Sequence, residues 1–117
     1  MIFYDSETCG LTGPLILMQF AKDDGPVQIV NVWNEPIRYT ISIMEEIVTD
    51  NVVGFNLIFD WFHFNKWYNI IRFLADNGYS DLPPIKTIIE VEALNPSNYC
   101  VLPKSALDLM LYARKGP

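Results

Sequence analysis

The segment from Asn51 to Asp60, with the sequence NVVGFNLIFD, joins a short apolar strand to the start of a long helix. Its first half, Asn51 to Phe55, is short, branched and apolar, which is typical of a strand buried in the middle of a sheet. From about Leu57 onward apolar residues recur at helical spacing, and Gly78 lies where a C-terminal cap is expected. A buried strand that leads directly into an amphipathic helix predicts an α/β fold in which the helix packs on the sheet.

The residues before this unit predict a first strand, a hairpin and a first helix. The apolar run from Met1 to Tyr4 is predicted to be the first strand. Gly13 to Ala21 and Pro26 to Trp33 are predicted to be two strands, because an Asp-Gly turn signal lies between them. Pro36 suits the first turn of a helix, and the residues after it are apolar at helical spacing.

The residues after Gly78 give a weaker pattern. We expect a strand from Ile85 to Val91, an irregular segment from Asn95 to Pro103, and a helix from Ser105 to Lys115. The whole order predicts a mixed sheet, with antiparallel hairpin strands beside parallel strands and with helices on its faces. At 117 residues, the chain is expected to form a single domain over residues 1–117.

Composition and charge exclude several classes of protein. Half of the residues are hydrophobic, which excludes a disordered chain. A net charge of -6 excludes a broad basic surface for nucleic acid, although an enzyme that holds divalent metals needs clustered carboxylates. No apolar run approaches the roughly 18 residues of a membrane span. Cys9 and Cys100 match no metal-binding spacing, so reduced thiols and a cytoplasmic location without membrane contact are expected.

Three acidic residues stand where strands and helices meet. Asp5 and Glu7 lie two residues apart at the end of the first strand, so both carboxylates point to the same face. Asp60 lies in the first turn of the long helix. None of the three requires a function: Asp5 and Glu7 can belong to a solvated strand end, and Asp60 is an acid favoured by the helix dipole. The strand order, however, predicts that the three converge at one edge of the sheet, where a divalent cation would keep them ionised.

The sequence resembles a known family at these same residues. Phe3 to Thr8 (FYDSET) is similar to the first motif, D-x-E-T, of the DEDD 3′-to-5′ exonucleases, and Asn56 to Asp60 (NLIFD) is similar to their second motif, N-x-x-[FY]-D. Pro103 to Met110 (PKSALDLM) also resembles phage polymerases of this class, less specifically. The family has a ribonuclease H-like fold and includes the proofreading domains of family A DNA polymerases. The resemblance therefore implies that fold and a proofreading activity.

The resemblance also implies a metal site. In the family, the acids hold two divalent cations that serve hydrolysis of the 3′-terminal phosphodiester of DNA. By position, Asp5 would bridge both cations, Glu7 would hold the cation that carries the attacking water, and Asp60 would hold the other. Carboxylate oxygens suit Mg²⁺ or Mn²⁺ better than zinc.

Substrate contacts follow from the same resemblance. Thr8 and Asn56 match family positions that contact the terminal nucleotide, and Leu11 matches an apolar residue that packs on its base. The implied partners are the 3′ end of single-stranded DNA and a polymerase domain of the parent protein. The implied location is the cytoplasm of a bacterium or of a phage-infected host.

The family's third motif, a Tyr or His followed by three residues and an Asp, does not occur in this sequence. We therefore expect the domain to lack its C-terminal part and this chain alone to have little or no nuclease activity. If the chain does supply the third acid, Asp108 is the first candidate. The alternative is a non-catalytic fragment that binds DNA ends or packs against a polymerase. In either case we expect an uncovered apolar strip that favours self-association.

The long helix carries other residues that suggest function. His63, the only histidine, lies one turn after Asp60, where it could reach a phosphate or a metal-bound water, but we favour an exposed helix residue. The aromatic residues of the helix suggest either a base-stacking platform or the sealing of a core, and we favour the core. They are Trp61, Phe62, Phe64 and Trp67.

Overall fold

A five-stranded mixed sheet organises the chain in the computed structural model, which describes residues 1–94 and 99–111. The strands are β1 (Ile2–Thr8), β2 (Leu15–Lys22), β3 (Gln28–Asn31), β4 (Asn51–Gly54) and β5 (Ser105–Asp108). The helices are α1 (Ile37–Val48), α2 (Leu57–Asp76) and α3 (Ile85–Ala93). The strand order is β3-β2-β1-β4-β5, antiparallel on the β2 side of β1 and parallel on the β4 side. This arrangement confirms the predicted α/β class and mixed sheet.

The two faces of the sheet differ in what covers them. On β1, Ile2 and Tyr4 are buried in the core that α1 and α2 complete. Phe3 and Asp5 point to the other face of the sheet and are exposed. We call these the covered face and the open face. The open face also includes Ile29 on β3. It continues on β4 and β5, because the register places Val53 beside Phe3 and Leu107 beside Val53. Val53 is buried although it lies on this face, whereas Leu107 is 46% exposed.

The helix α2 supplies the largest part of the core. Phe64 and Trp67 are fully buried, and Trp61 is partly buried against them. Trp61 stacks on Phe64, with ring centroids 4.2 Å apart, and both rings meet the edge of Tyr4. Burial of three large aromatic rings provides several kcal/mol of the hydrophobic stabilisation of a domain of this size, at about 1.5–3 kcal/mol for each. Their packing role is therefore confirmed, and Phe62, which is 64% exposed, is the exception.

Gly54, the last residue of β4, lets the chain pass from the sheet into α2. A Cβ atom at this position would lie 2.9 Å from the carbonyl oxygen of Tyr4 and 3.0 Å from the side chain of Leu57. Because the first of these neighbours is backbone in the middle of the sheet, it cannot move aside at small cost. Glycine therefore allows the close approach of β4 to β1 that brings the start of α2 to the end of β1.

The prediction of a strand from Ile85 to Val91 is wrong, because this segment is the helix α3. Its β-branched residues favour a strand by propensity. Pro84, however, occupies the N-cap position, and the buried residues Ile88 and Val91 are three apart, which is helical spacing. Burial of Ile88 and Val91 has therefore outweighed the strand propensity of the segment.

The prediction of a helix from Ser105 to Lys115 is also wrong for its first four residues, which form the edge strand β5. The backbone of β4 would otherwise have an unpaired edge here, and β5 pairs with it in parallel from Asn51–Ser105 to Gly54–Asp108. Residues 109–111 are helical, and residues 112–117 lie outside the described residues. Residues 99–103 have no regular structure, as expected, and 95–98 of the predicted irregular segment also lie outside the description.

The predicted bounds of the other elements need smaller changes. β1 continues past Tyr4 as far as Thr8, so Asp5 and Glu7 lie within the strand, and β3 is limited to Gln28–Asn31. α1 and α2 begin where they were predicted, and Gly78 follows α2 with a φ of +87°. Within the described residues, no helix has the length and apolar character that crossing a membrane requires.

Candidate functional site at the carboxyl edge of the sheet

The parallel strands β1, β4 and β5 end at the same edge of the sheet, which we call the carboxyl edge. β1 ends with four polar residues, and the side chains of the first three, Asp5, Ser6 and Glu7, alternate between the faces. Asp5 and Glu7 are exposed and lie on the open face, as their spacing predicts. Ser6 lies between them and faces the covered side, toward α2. The same strand therefore presents carboxylates on one face and a hydroxyl on the other.

Asp60 is the acid that α2 brings to this edge. Its side chain is only 4% exposed, and its Oδ1 accepts a hydrogen bond of 2.5 Å from Ser6 Oγ. Burial raises the pKa of Asp60 to about 6, the hydrogen bond from Ser6 opposes this rise, and the charges of Asp5 and Asp108 add to it. The carboxylates of Asp5 on β1 and Asp108 on β5 thus both act on the pKa of Asp60 at the carboxyl edge.

The start of α2 is capped by a residue distant in sequence. Asn56 occupies the N-cap position, but its backbone is left-handed, with a φ of 57°, and its side chain makes no capping bond. The carboxylate of Asp108 takes this role, because it accepts hydrogen bonds of 2.9 Å from the backbone N–H groups of Asn56 and Leu57. An acid at a helix N-terminus is stabilised by the helix dipole as well as by these bonds. Asn56 therefore does not cap α2 through its side chain, which is exposed at the carboxyl edge.

The end of β1 and the loop after it carry two of the residues predicted to contact substrate. The Thr8 hydroxyl donates a hydrogen bond of 2.6 Å to the carbonyl oxygen of Gly10, and the side chain of Leu11 is 78% exposed. The Leu11 carbonyl oxygen lies 3.0 Å from Nε2 of His63. Because a carbonyl oxygen can only accept, Nε2 carries the proton in this contact. His63 therefore ties the loop to α2.

The prediction that His63 is exposed is wrong, since it is completely buried. The helical position that follows Asp60 by three residues faces the loop of Leu11 and the rings of Phe59 and Phe62. Burial lowers the pKa of His63, the bond to the Leu11 carbonyl opposes this, and the charge of Lys66 adds to the lowering. Nδ1 is buried and has no hydrogen-bond partner within the described residues.

The chemistry of the donors at the carboxyl edge suits a hard cation. Asp5, Glu7 and Asp60 offer only carboxylate oxygens, which Mg²⁺ and Mn²⁺ prefer. Across residues 1–94 and 99–111, no three His, Cys, Asp or Glu side chains are grouped closely enough to hold a metal ion as they stand. Asp5 and Glu7 lie on the open face and Asp60 on the covered face, so a shared ion would require side-chain rearrangement at the carboxyl edge.

Two residues of this edge were not recognised as site residues from the sequence. Ser6 stands between the two acids of the first motif, and strand alternation alone could have placed it toward the helix. For Asp108, the sequence predicts only a possible role as the third acid, in a segment that it predicts to be helical. Recognising it as the cap of α2 requires the pairing of β5 with β4, which no local signal in Ser105–Asp108 shows.

Comparison with known proteins adds no relative to this picture. No protein-family model, curated protein or solved structure matches the chain. The functional interpretation therefore rests on the residues of the carboxyl edge and on the two sequence motifs that they carry.

Proposed function

We propose that this chain belongs to a 3′-to-5′ exonuclease of the proofreading kind, with a ribonuclease H-like fold. The observation that carries the proposal is the buried Asp60, which bonds Ser6 of the first motif and is charge-coupled to Asp5. Residues 54 positions apart in sequence, which resemble two motifs of one family, thus meet at one edge of the sheet. The five-stranded mixed sheet, antiparallel on one side and parallel on the other, is compatible with the fold that the resemblance implies.

The proposed site would hold two Mg²⁺ or Mn²⁺ ions through Asp5, Glu7 and Asp60. These ions would supply an activated water and would neutralise charge on the leaving 3′ oxygen. The raised pKa of Asp60 supports this role, because a cation would offset the burial and repulsion that oppose its ionisation. The chain's own contribution is to position the carboxylates on two rigid elements, β1 and α2.

The proposed substrate is the 3′ end of single-stranded DNA, placed by the loop after β1. The exposed side chain of Leu11 is available to pack against a terminal base. Thr8 and Asn56 border the same edge and would contact the terminal nucleotide. The net charge of -6 favours recognition of a DNA end through bound cations over attachment along the DNA backbone.

The test is degradation of single-stranded DNA labelled at its 5′ end, in Mg²⁺ or Mn²⁺, by a longer form that carries a third motif. Asp5→Ala or Asp60→Ala is expected to abolish stepwise shortening from the 3′ end, because each would remove a metal ligand. Asp81→Ala is the matched control, since Asp81 is an exposed acid of the loop after α2. The 117-residue chain alone is expected to show little or no activity.

Near-normal activity of Asp5→Ala in that assay would contradict the proposed role. Equal loss in Asp5→Ala and Asp81→Ala would mean that overall charge, and not a metal site, controls activity. Circular dichroism of each variant verifies that the comparison is made between folded proteins.

A second candidate is a non-catalytic module that binds DNA ends or packs against a polymerase domain. The open face favours it, because Phe3, Ile29 and Leu107 expose apolar surface of the kind that interfaces use. The two candidates separate in the assay above, since a non-catalytic module would bind the labelled DNA or its protein partner without shortening the DNA. Self-association through the open face would appear in the solution mass.

A further inference from the structure

A cleft between α1 and the end of α2 lies away from the carboxyl edge. The cleft has a volume of about 380 Å³, which is within the range of small-molecule sites. Arg38 of α1 and Arg72 of α2 both line it, and they are the two arginines of the described residues. They bring two positive charges to the lining, beside Asp76 of the lining and Glu45, which forms an ion pair with Arg72. Bidentate donors on two facing helices are suited to a phosphate group.

Arg72 is held in place while part of its donor capacity is unused. Its guanidinium lies over the ring of Tyr99, with 5.6 Å between the guanidinium carbon and the ring centroid. Its Nη1 is 3.8 Å from Oε1 of Glu45, which is too long for a hydrogen bond. Its Nε is buried and has no hydrogen-bond partner among residues 1–94 and 99–111. Because Nε is buried, an anionic oxygen in the cleft would accept from the part of the Arg72 guanidinium that remains accessible, since the side chain is 32% exposed.

Arg38 supplies the accessible charge of the cleft. It is exposed, and no carboxylate of the described chain forms an ion pair with it. Asp76 also lines the cleft, so the surface is not uniformly cationic. A ligand that fits both charges must carry an anionic group for the arginines and a hydroxyl or amino donor for Asp76.

The remaining lining is apolar or aromatic. Ile41 and Ala75 form the apolar part, and Tyr79, which is 42% exposed, adds a ring at the side of the turn after α2. A bare phosphate ion would leave these surfaces unused. A flat ring attached to the anion would cover them and could pack against the tyrosine.

We propose that this cleft binds a small phosphomonoester that carries a ring and hydroxyl groups, of the class of a nucleoside 5′-monophosphate. The phosphate contacts Arg38 and Arg72, a sugar hydroxyl or base amino group donates to Asp76, and the ring covers Ile41 and Tyr79. This assignment does not depend on the proposed nuclease function, because it uses none of the residues of the carboxyl edge.

The experiment titrates the full 117-residue chain with AMP, adenosine, ribose 5-phosphate and inorganic phosphate, in EDTA, by calorimetry and by amide NMR. AMP is expected to bind at least about tenfold more tightly than each of the other three, because only AMP has both the phosphate and the base. Shifts of the Tyr79 and Ser80 amides are expected to accompany binding. Adenosine binding as tightly as AMP would overturn the arginine site, and ribose 5-phosphate or phosphate binding as tightly would overturn the ring site.

Arg38→Gln is the variant that decides the location, since Arg38 is exposed and its replacement leaves the core intact. It is expected to weaken AMP binding by about tenfold or more, through loss of a charged hydrogen bond to phosphate. Lys86→Gln removes the same charge from the exposed surface of α3 and is expected to change affinity by less than about twofold. Equal weakening by both variants would show a general charge effect and would overturn the proposal.

Discussion

The two faces of the sheet use the same strands for different purposes. On the covered face, Ile2 and Tyr4 of β1 are enclosed by α1 and α2, and burial is nearly complete. On the open face, Phe3 and Asp5 of the same strand are exposed. The difference shows that the helices determine which half of each strand becomes core. Asp60 lies on the covered face, and its burial raises its pKa to about 6.

The largest expected effect contrasts one substitution on the two faces. Ile2→Ala, at a residue that is 1% exposed, is expected to reduce the free energy of unfolding by about 2–5 kcal/mol. Ile29→Ala, at a residue that is 63% exposed on the open face, is expected to cost less than about 1 kcal/mol. Urea denaturation of the two variants measures both values. Equal losses would mean that the open face is covered in solution, as it would be in a stable oligomer.

A smaller effect is expected from replacing Asp60, the buried acid on the covered face. Asp60→Asn is expected to raise the free energy of unfolding by about 1–3 kcal/mol at pH 7 in EDTA, since the buried carboxylate no longer has to ionise. The amide oxygen can still accept from Ser6. Because the folded-state pKa of about 6 lies above the unfolded value of 3.8, the wild-type protein gains stability as the pH falls from above 6 toward 4.

The variant is expected to lack this gain. Urea titrations between pH 4 and pH 8 compare the two proteins, with Asp81→Asn as the control for a loss of surface charge. A variant less stable than the wild type at pH 7 would show that Asp60 is stabilised by contacts that outweigh its burial.

The smallest expected effect concerns His63, one turn further along α2. Burial lowers its pKa, so the folded protein resists protonation and loses stability as the pH falls through the unfolded value of 6.5. This direction is opposite to that of Asp60. Because the buried imidazolium is poorly solvated, we expect acid to favour opening of the packing around His63 and to accelerate amide hydrogen exchange in the loop after β1. His63→Gln keeps a donor for Leu11 and is expected to remove the acid sensitivity, and the same sensitivity in the variant would contradict this explanation.

The sequence predicts the elements whose burial pattern is regular. α1 and α2 have apolar residues at helical spacing over 12 and 20 residues, and both begin where the pattern predicts. α3 was predicted to be a strand, because its Ile, Thr and Val residues favour one and its buried stripe contains only Ile88 and Val91. β5 was predicted to be helical, because its strand character comes from the edge of β4 and not from its own residues.

The candidate site likewise contains residues that local sequence patterns predict and contacts that such patterns do not predict. Asp5, Glu7 and Asp60 are recognisable from local motifs, since strand alternation and helix position fix where they lie. The cap that Asp108 forms on α2 and the bond of His63 to the Leu11 loop both join residues more than 50 positions apart. Such contacts depend on the packing of the whole sheet, and a local pattern does not contain them.

We propose that the acids of both faces bind divalent cations together at the carboxyl edge. The most direct measurement is Mn²⁺ binding to the 117-residue chain by calorimetry, with paramagnetic broadening of amide signals to locate the ion. We predict binding that broadens residues 5–8 and the first turn of α2, and affinity reduced at least about tenfold in both Asp5→Asn and Asp60→Asn but not in Asp81→Asn. Broadening elsewhere, or equal affinity in all three variants, would contradict the claim.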